Sequence, residues 1–117
     1  MTTILVLDDD QVILDLLQTV LTDAGYDIVL APGLDAIPPD TTVEVVITDL
    51  VPSKAYGRET ALEWIASVRA RFAGVPVLVV TAHADAVAEP DMLGADAIIT
   101  KPFDVDLLLA KLDELLA

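Results

Sequence analysis

Short unbroken apolar runs alternate along this chain with longer segments whose apolar residues recur every three or four positions. Ile4–Leu7 predicts a buried strand, and Gln11–Ala24 predicts a helix. In that helix Val12, Ile13, Leu16, Leu17, Val20 and Leu21 form the expected inward stripe, with Gly25 placed to end it. Tyr26–Leu30 predicts a second strand, and Gly33–Ile37 about one helical turn, stopped by Pro38-Pro39. Val43–Thr48 predicts the third strand, and a loop from Leu50 to Gly57 leads to a helix over Glu59–Phe72. Val75–Val80 predicts the fourth strand, followed by a weak helix within Ala84–Leu93 that Pro90 interrupts. Ala97–Thr100 predicts the fifth strand, and Asp104–Leu116 the last helix, with Val105, Leu108, Leu109, Leu112, Leu115 and Leu116 inward.

Five such units imply an α/β fold with a parallel sheet covered on both faces. Parallel strands need crossover helices, and strands buried on both faces read as continuous apolar runs. Ligands of open α/β sheets bind beyond the carboxyl ends of the strands. Those ends carry Asp8-Asp9-Asp10, Asp49, Thr81 and Lys101. Carboxylates gathered at one sheet edge repel one another unless a cation sits among them. Acids from two strands offer hard oxygen ligands suited to Mg²⁺, which takes one or two carboxylates plus water and phosphate oxygens. A lysine in the same cleft supplies a fixed positive charge for a phosphoryl oxygen, and a threonine hydroxyl can bond another. Metal, lysine and hydroxyl around one carboxylate nucleophile suffice for phosphoryl transfer.

Composition narrows the setting. The 117 residues form one expected domain, 1–117, and at 55% hydrophobic and 22% charged they are not a disordered chain. No apolar stretch approaches the ~20 residues of a membrane span, and Met1-Thr2-Thr3 lacks the basic start of a signal peptide. The absence of cysteine fits a reducing cytoplasm, the expected location. Six basic against 20 acidic residues give a formal charge of −14, a surface repelled by nucleic acid and by anionic lipid. Neither direct DNA binding nor membrane insertion is expected.

The strand-end residues together resemble the receiver domain of two-component signalling, the response-regulator family. The matching pieces are Leu5-Val6-Leu7-Asp8-Asp9-Asp10, Val46-Ile47-Thr48-Asp49-Leu50 with Gly57 following, Val80-Thr81-Ala82, and Lys101-Pro102-Phe103. Each is weak alone; in this order over the full length they are specific. The resemblance implies a flavodoxin-like doubly wound sheet of strand order 2-1-3-4-5. It implies that Asp49 is the phosphoacceptor and that Asp8, Asp9, Asp49 and the Val51 carbonyl hold Mg²⁺. Thr81 is then the switch hydroxyl, Lys101 pairs with the phosphoryl group, and Lys101-Pro102 is a cis peptide. The implied donor is a sensor histidine kinase or a histidine phosphotransfer protein, and the output a conformational change read by a downstream protein partner. Beyond catalysing its own phosphorylation and dephosphorylation, such a chain is not an enzyme, and no output domain is expected.

Other residues have plainer readings. Asp10 reads as the cap of the first helix, Lys54 and Arg58 as solvated charges, and Trp64 as packing. Departures from the family pattern are also visible. Pro52 stands one position earlier than the family's loop proline, and Ile98 replaces a common tyrosine or phenylalanine that moves inward on activation. The Gly33-to-Asp49 and Thr81-to-Lys101 intervals are short, so the second and fourth helices should be shortened and partner recognition shifted to the first helix, the fifth helix or the loops. His83, two residues after Thr81, is a candidate modulator of dephosphorylation. Two alternatives remain open. One is a pseudo-receiver that binds partners without phosphorylation. The other is a haloacid-dehalogenase-type phosphatase using Asp8 within Asp8-Asp9-Asp10-Gln11-Val12, although it leaves Asp49 without a role.

Overall fold

Continuous apolar runs become strands, and Val45–Thr48 and Val77–Thr81 at the middle of the sheet are buried at every residue. The computed structural model describes residues 2–50, 57–88 and 92–117. Its strands β1 (Thr3–Leu7), β2 (Asp27–Ala31), β3 (Val45–Thr48), β4 (Val77–Thr81) and β5 (Ala97–Thr100) form one parallel sheet in the order β2-β1-β3-β4-β5. Between them run α1 (Gln11–Asp23), α2 (Arg58–Arg71) and α3 (Ala84–Val87), and α4 (Val105–Leu116) follows β5. Alternate residues of each strand serve opposite faces. Leu5, Leu7, Val46, Val77 and Val79 pack with Ala61, Ile65 and Val68 of α2. Ile4, Val6, Val45, Ile47, Leu78 and Val80 pack with Leu14, Leu17 and Leu21 of α1 and Leu108 and Leu112 of α4. The doubly wound, flavodoxin-like expectation holds.

Both short connections are as short as the sequence implies. The first is a 3-10 turn, Leu34–Ala36, ending at Ile37 just before Pro38-Pro39. Arg71 reaches back from α2 to donate to the carbonyls of Ile37 and Pro38, pinning that connection. The second is the four-residue α3 and a 3-10 turn, Met92–Gly94, in which buried Leu93 takes a left-handed φ of 56°. Pro90 lies outside the described residues.

Some expectations need correction. The inward face of α1 is Leu14, Leu17 and Leu21, whereas Val12 is 73% exposed and Leu16 43% exposed. Positions 12 and 16 lie one turn apart on the side of the helix away from 14, 17 and 21, so tertiary packing leaves them outside. The fourth strand also begins at Val77 rather than Val75, and the third at Val45 rather than Val43. There the Glu44 carboxylate accepts the Thr3 backbone N–H at 2.8 Å, and Val43 is buried without joining the ladder. Asp10 caps α1 as read, its carboxylate accepting the Val12 N–H, and Gly25 follows the helix at φ 94°.

Candidate functional site

The chain runs outward from β1 to β2 on one side and then crosses to β3 on the other, so the carboxyl ends of β1 and β3 flank the point where the winding reverses. Leu7 is in register with Thr48, and the Asp49 N–H donates to the Leu7 carbonyl at 2.9 Å. Asp8 and Asp49, each the next residue, are thereby set side by side. Asp8, Asp9 and Asp49 offer carboxylate oxygens that all lie within 4.8 Å of one another. Lys101, just past β5, extends its ammonium group into this cluster, 2.8 Å from Asp8 Oδ2 and 3.0 Å from Asp49 Oδ2.

Each acid has a distinct setting. Asp8 is buried, and its second oxygen accepts the Asp10 N–H at 2.9 Å. Asp49 is partly buried, and its Oδ1 accepts the N–H of Leu50 at 2.7 Å. Asp9 is exposed and forms the solvent side of the group. Three carboxylates against one ammonium leave an excess of negative charge in a partly desolvated cleft. That donor set of hard oxygens, open to water at Asp9, fits Mg²⁺. The Val51 carbonyl, Pro52 and Lys54 lie outside the described residues.

Burial pushes the Asp8 carboxyl above its ordinary value, and the Asp49 charge adds to this. The Lys101 and Asp10 hydrogen bonds oppose the rise without cancelling it. The folded state therefore holds a proton on Asp8 more readily than the unfolded chain, so this residue's contribution to stability falls as pH rises through the carboxylate range. In chelator-treated samples, Asp8→Asn should gain stability relative to the wild type as pH rises through that range. Urea unfolding at several pH values tests this; a stability difference that stayed flat with pH would contradict it. For Lys101, burial alone would lower the pKa, but hydrogen bonds and charge from Asp8 and Asp49 outweigh it and the value is raised.

Thr81 ends β4 at the same sheet edge and is fully buried, in register with Thr100. Its hydroxyl accepts the backbone N–H of His83 at 3.2 Å, and its carbonyl accepts the Lys101 N–H at 2.8 Å. The Lys101-Pro102 peptide is cis. Ile98 is half-buried against the α2-side core. One contact was not read from the sequence. Trp64 of α2 does pack, as expected, but its indole also donates to the hydroxyl of Thr48, the residue before Asp49. A threonine ending an otherwise aliphatic strand was the available signal.

The chain is similar to known proteins over nearly its whole length. The sequence pattern described as "Response regulator receiver domain" matches residues 4–113. The chain is 34% identical over 120 residues to the transcriptional regulatory protein GlrR of Escherichia coli (strain K12), covering 97% of this chain and 26% of that protein. It is 35% identical over 120 residues to the response regulator MprA of Mycolicibacterium vanbaalenii, covering 97% of this chain and 49% of that protein. It thus spans about a quarter and about half of these two relatives. Among solved structures, the response regulator protein TrrA of Thermotoga maritima in complex with Mg²⁺-BeF superposes with a TM-score of 0.80 at 25% identity. That match covers 98% of this chain and 99% of the other.

Proposed function

From the premise that the chain belongs to the response regulator receiver family, we propose that it takes a phosphoryl group onto Asp49 from a phosphohistidine protein, in a Mg²⁺-dependent reaction. The observation that carries this reading is the convergence of Asp8, Asp9, Asp49 and Lys101 at the β1–β3 edge, with Asp49 held by a lysine and a backbone N–H. The donor would be a sensor histidine kinase or a histidine phosphotransfer protein, and the output a change of conformation read by a downstream protein partner.

Asp8 and Asp9, with one oxygen of Asp49, would hold the metal, which when bound neutralises phosphoryl charge and aligns donor with acceptor. The other Asp49 oxygen attacks phosphorus as the P–N bond to the donor imidazole breaks. The bond's electron pair leaves with the imidazole, which takes its proton from water. Lys101, already 3.0 Å from Asp49 Oδ2, transfers its contact to a phosphoryl oxygen and keeps its hold on Asp8. Thr81 then donates its hydroxyl proton to a second phosphoryl oxygen. Ile98 has no ring to follow that movement, so the signal to a partner would run by a route other than an aromatic swing.

The test is phosphorylation by a small-molecule phosphodonor, with the labile acyl phosphate mapped by mass spectrometry. Uptake at Asp49 that requires Mg²⁺ and is lost in Asp49→Asn is the expected result. Modification at Asp8 instead would replace the receiver reading with the phosphatase one. No uptake, together with no Mg²⁺-dependent change in Trp64 fluorescence, would leave an interaction module without phosphorylation.

A further inference from the structure

A chain of hydrogen bonds links α2 to the backbone of Asp49. The Trp64 Nε1–H donates to Thr48 Oγ at 2.9 Å, and the Thr48 hydroxyl donates to the Asp49 carbonyl oxygen at 2.7 Å. That carbonyl and the Leu50 N–H belong to one planar peptide unit. On its opposite side, the Leu50 N–H donates to Asp49 Oδ1 at 2.7 Å. We propose that Thr48 and Trp64 are positioning residues for the phosphoacceptor: they fix the plane of the Asp49–Leu50 peptide and, through its N–H, the orientation of the Asp49 carboxylate. The proposal deepens the receiver reading above and rests on it for the meaning of that orientation.

The chemistry of position 48 supports a role beyond packing. Thr48 is fully buried on the α2-side face of β3, in line with Val46, where valine would fill the same space. A hydroxyl in such a place is costly unless it is bonded. Here it makes two bonds: it accepts from the indole and donates to the acceptor's own carbonyl. With its lone pair engaged by Trp64, the hydroxyl rotor is directed at Asp49 rather than free to turn. Without this tether the peptide plane can rock, and the Leu50 N–H leaves Oδ1. Lys101 is then the remaining described contact that orients the carboxylate, on Oδ2. The outer end of the relay lies at the surface, where Trp64 lines a groove of about 280 Å³ with Thr60, Glu63 and Ser67.

The deciding measurement is the Leu50 amide in ¹⁵N-labelled protein, without metal and during a Mg²⁺ titration. In Thr48→Val its resonance should shift and its hydrogen exchange accelerate about tenfold, with the Mg²⁺ dissociation constant rising about fivefold, the scale of one neutral hydrogen bond. Trp64→Phe should move both quantities the same way by less, and Thr48→Ser should keep wild-type values. If Thr48→Val does not fold, Trp64→Phe carries the test. An unchanged Leu50 amide in a folded variant that lacks either group would overturn the proposal. A wild-type chain with no affinity for Mg²⁺ would instead remove the receiver reading, and the Leu50 amide would still decide the positioning.

Discussion

Replacing Lys101 with methionine is expected to lower the unfolding free energy by about 2–4 kcal/mol in metal-free buffer at neutral pH, with most of the loss recovered on adding Mg²⁺. Methionine fills similar space, so packing changes little and charge changes most. The ammonium group sits 2.8 Å from a carboxylate that is 4% exposed and 3.0 Å from one that is 20% exposed. Removing one member of a buried ion pair leaves an uncompensated buried charge, which typically costs about 3–5 kcal/mol; the partial exposure of Asp49 lowers that figure. Asp8 suffers most, because the Asp10 N–H is then its main described support and Asp49 still repels it. A divalent cation among the three carboxylates would supply the missing positive charge.

Two pH signatures separate this account from a general loss of packing. In the wild type the Lys101 pKa is raised, so its stabilising contribution is full below the ordinary lysine value and disappears as pH climbs through the folded value. That alkaline step should be absent from Lys101→Met. On the acid side the variant should regain stability as Asp8 takes up a proton. Under the proposed receiver chemistry, phosphoryl uptake should also drop by about a hundredfold or more even with Mg²⁺ present, since the donor that would meet the developing charge is lost. Urea unfolding with chelator and with Mg²⁺, across pH, checks the stability arm. An equal deficit in both media would show that Lys101 acts through packing and not through charge.

The placement of the candidate site was legible because its residues stand where apolar runs stop. A strand buried on both faces has a well-marked end, and the register between neighbouring strands turns that end into a position in space. Asp8, Asp49, Thr81 and Lys101 fall at one edge for that reason alone. The Thr48–Trp64 bond was not legible in the same way. It joins β3 to the seventh residue of α2, and its partners are fixed by how the helix packs across the sheet rather than by either segment's own pattern. The start of β3 failed for a related reason. Val43 is apolar and buried, but burial alone does not commit a backbone to a ladder, and the carboxylate of Glu44 had already taken the Thr3 N–H.

Helix α1 provides the sharper case, and an experiment. Val12, Ile13, Leu14, Leu16, Leu17, Val20 and Leu21 are all apolar, so more than one stripe can be drawn on the helix and the sequence cannot rank them. Packing ranks them: Leu14 is 6% exposed and belongs to the core shared with β1, β3 and α4, while Leu16 is 43% exposed. Leu14→Ala should therefore cost about 2–4 kcal/mol, from lost burial plus the cavity left beneath α1. Leu16→Ala, the same deletion two residues on, should cost less than about 1 kcal/mol, partly offset by the better helix propensity of alanine. Chemical denaturation of both variants at one pH gives the comparison directly. Equal losses would mean that Leu16 is covered in solution. Because the core residues Leu14, Leu17 and Leu21 hold α1 against the same sheet that ends in Asp8, Leu14→Ala should also weaken Mg²⁺ binding, whereas Leu16→Ala should leave it unchanged.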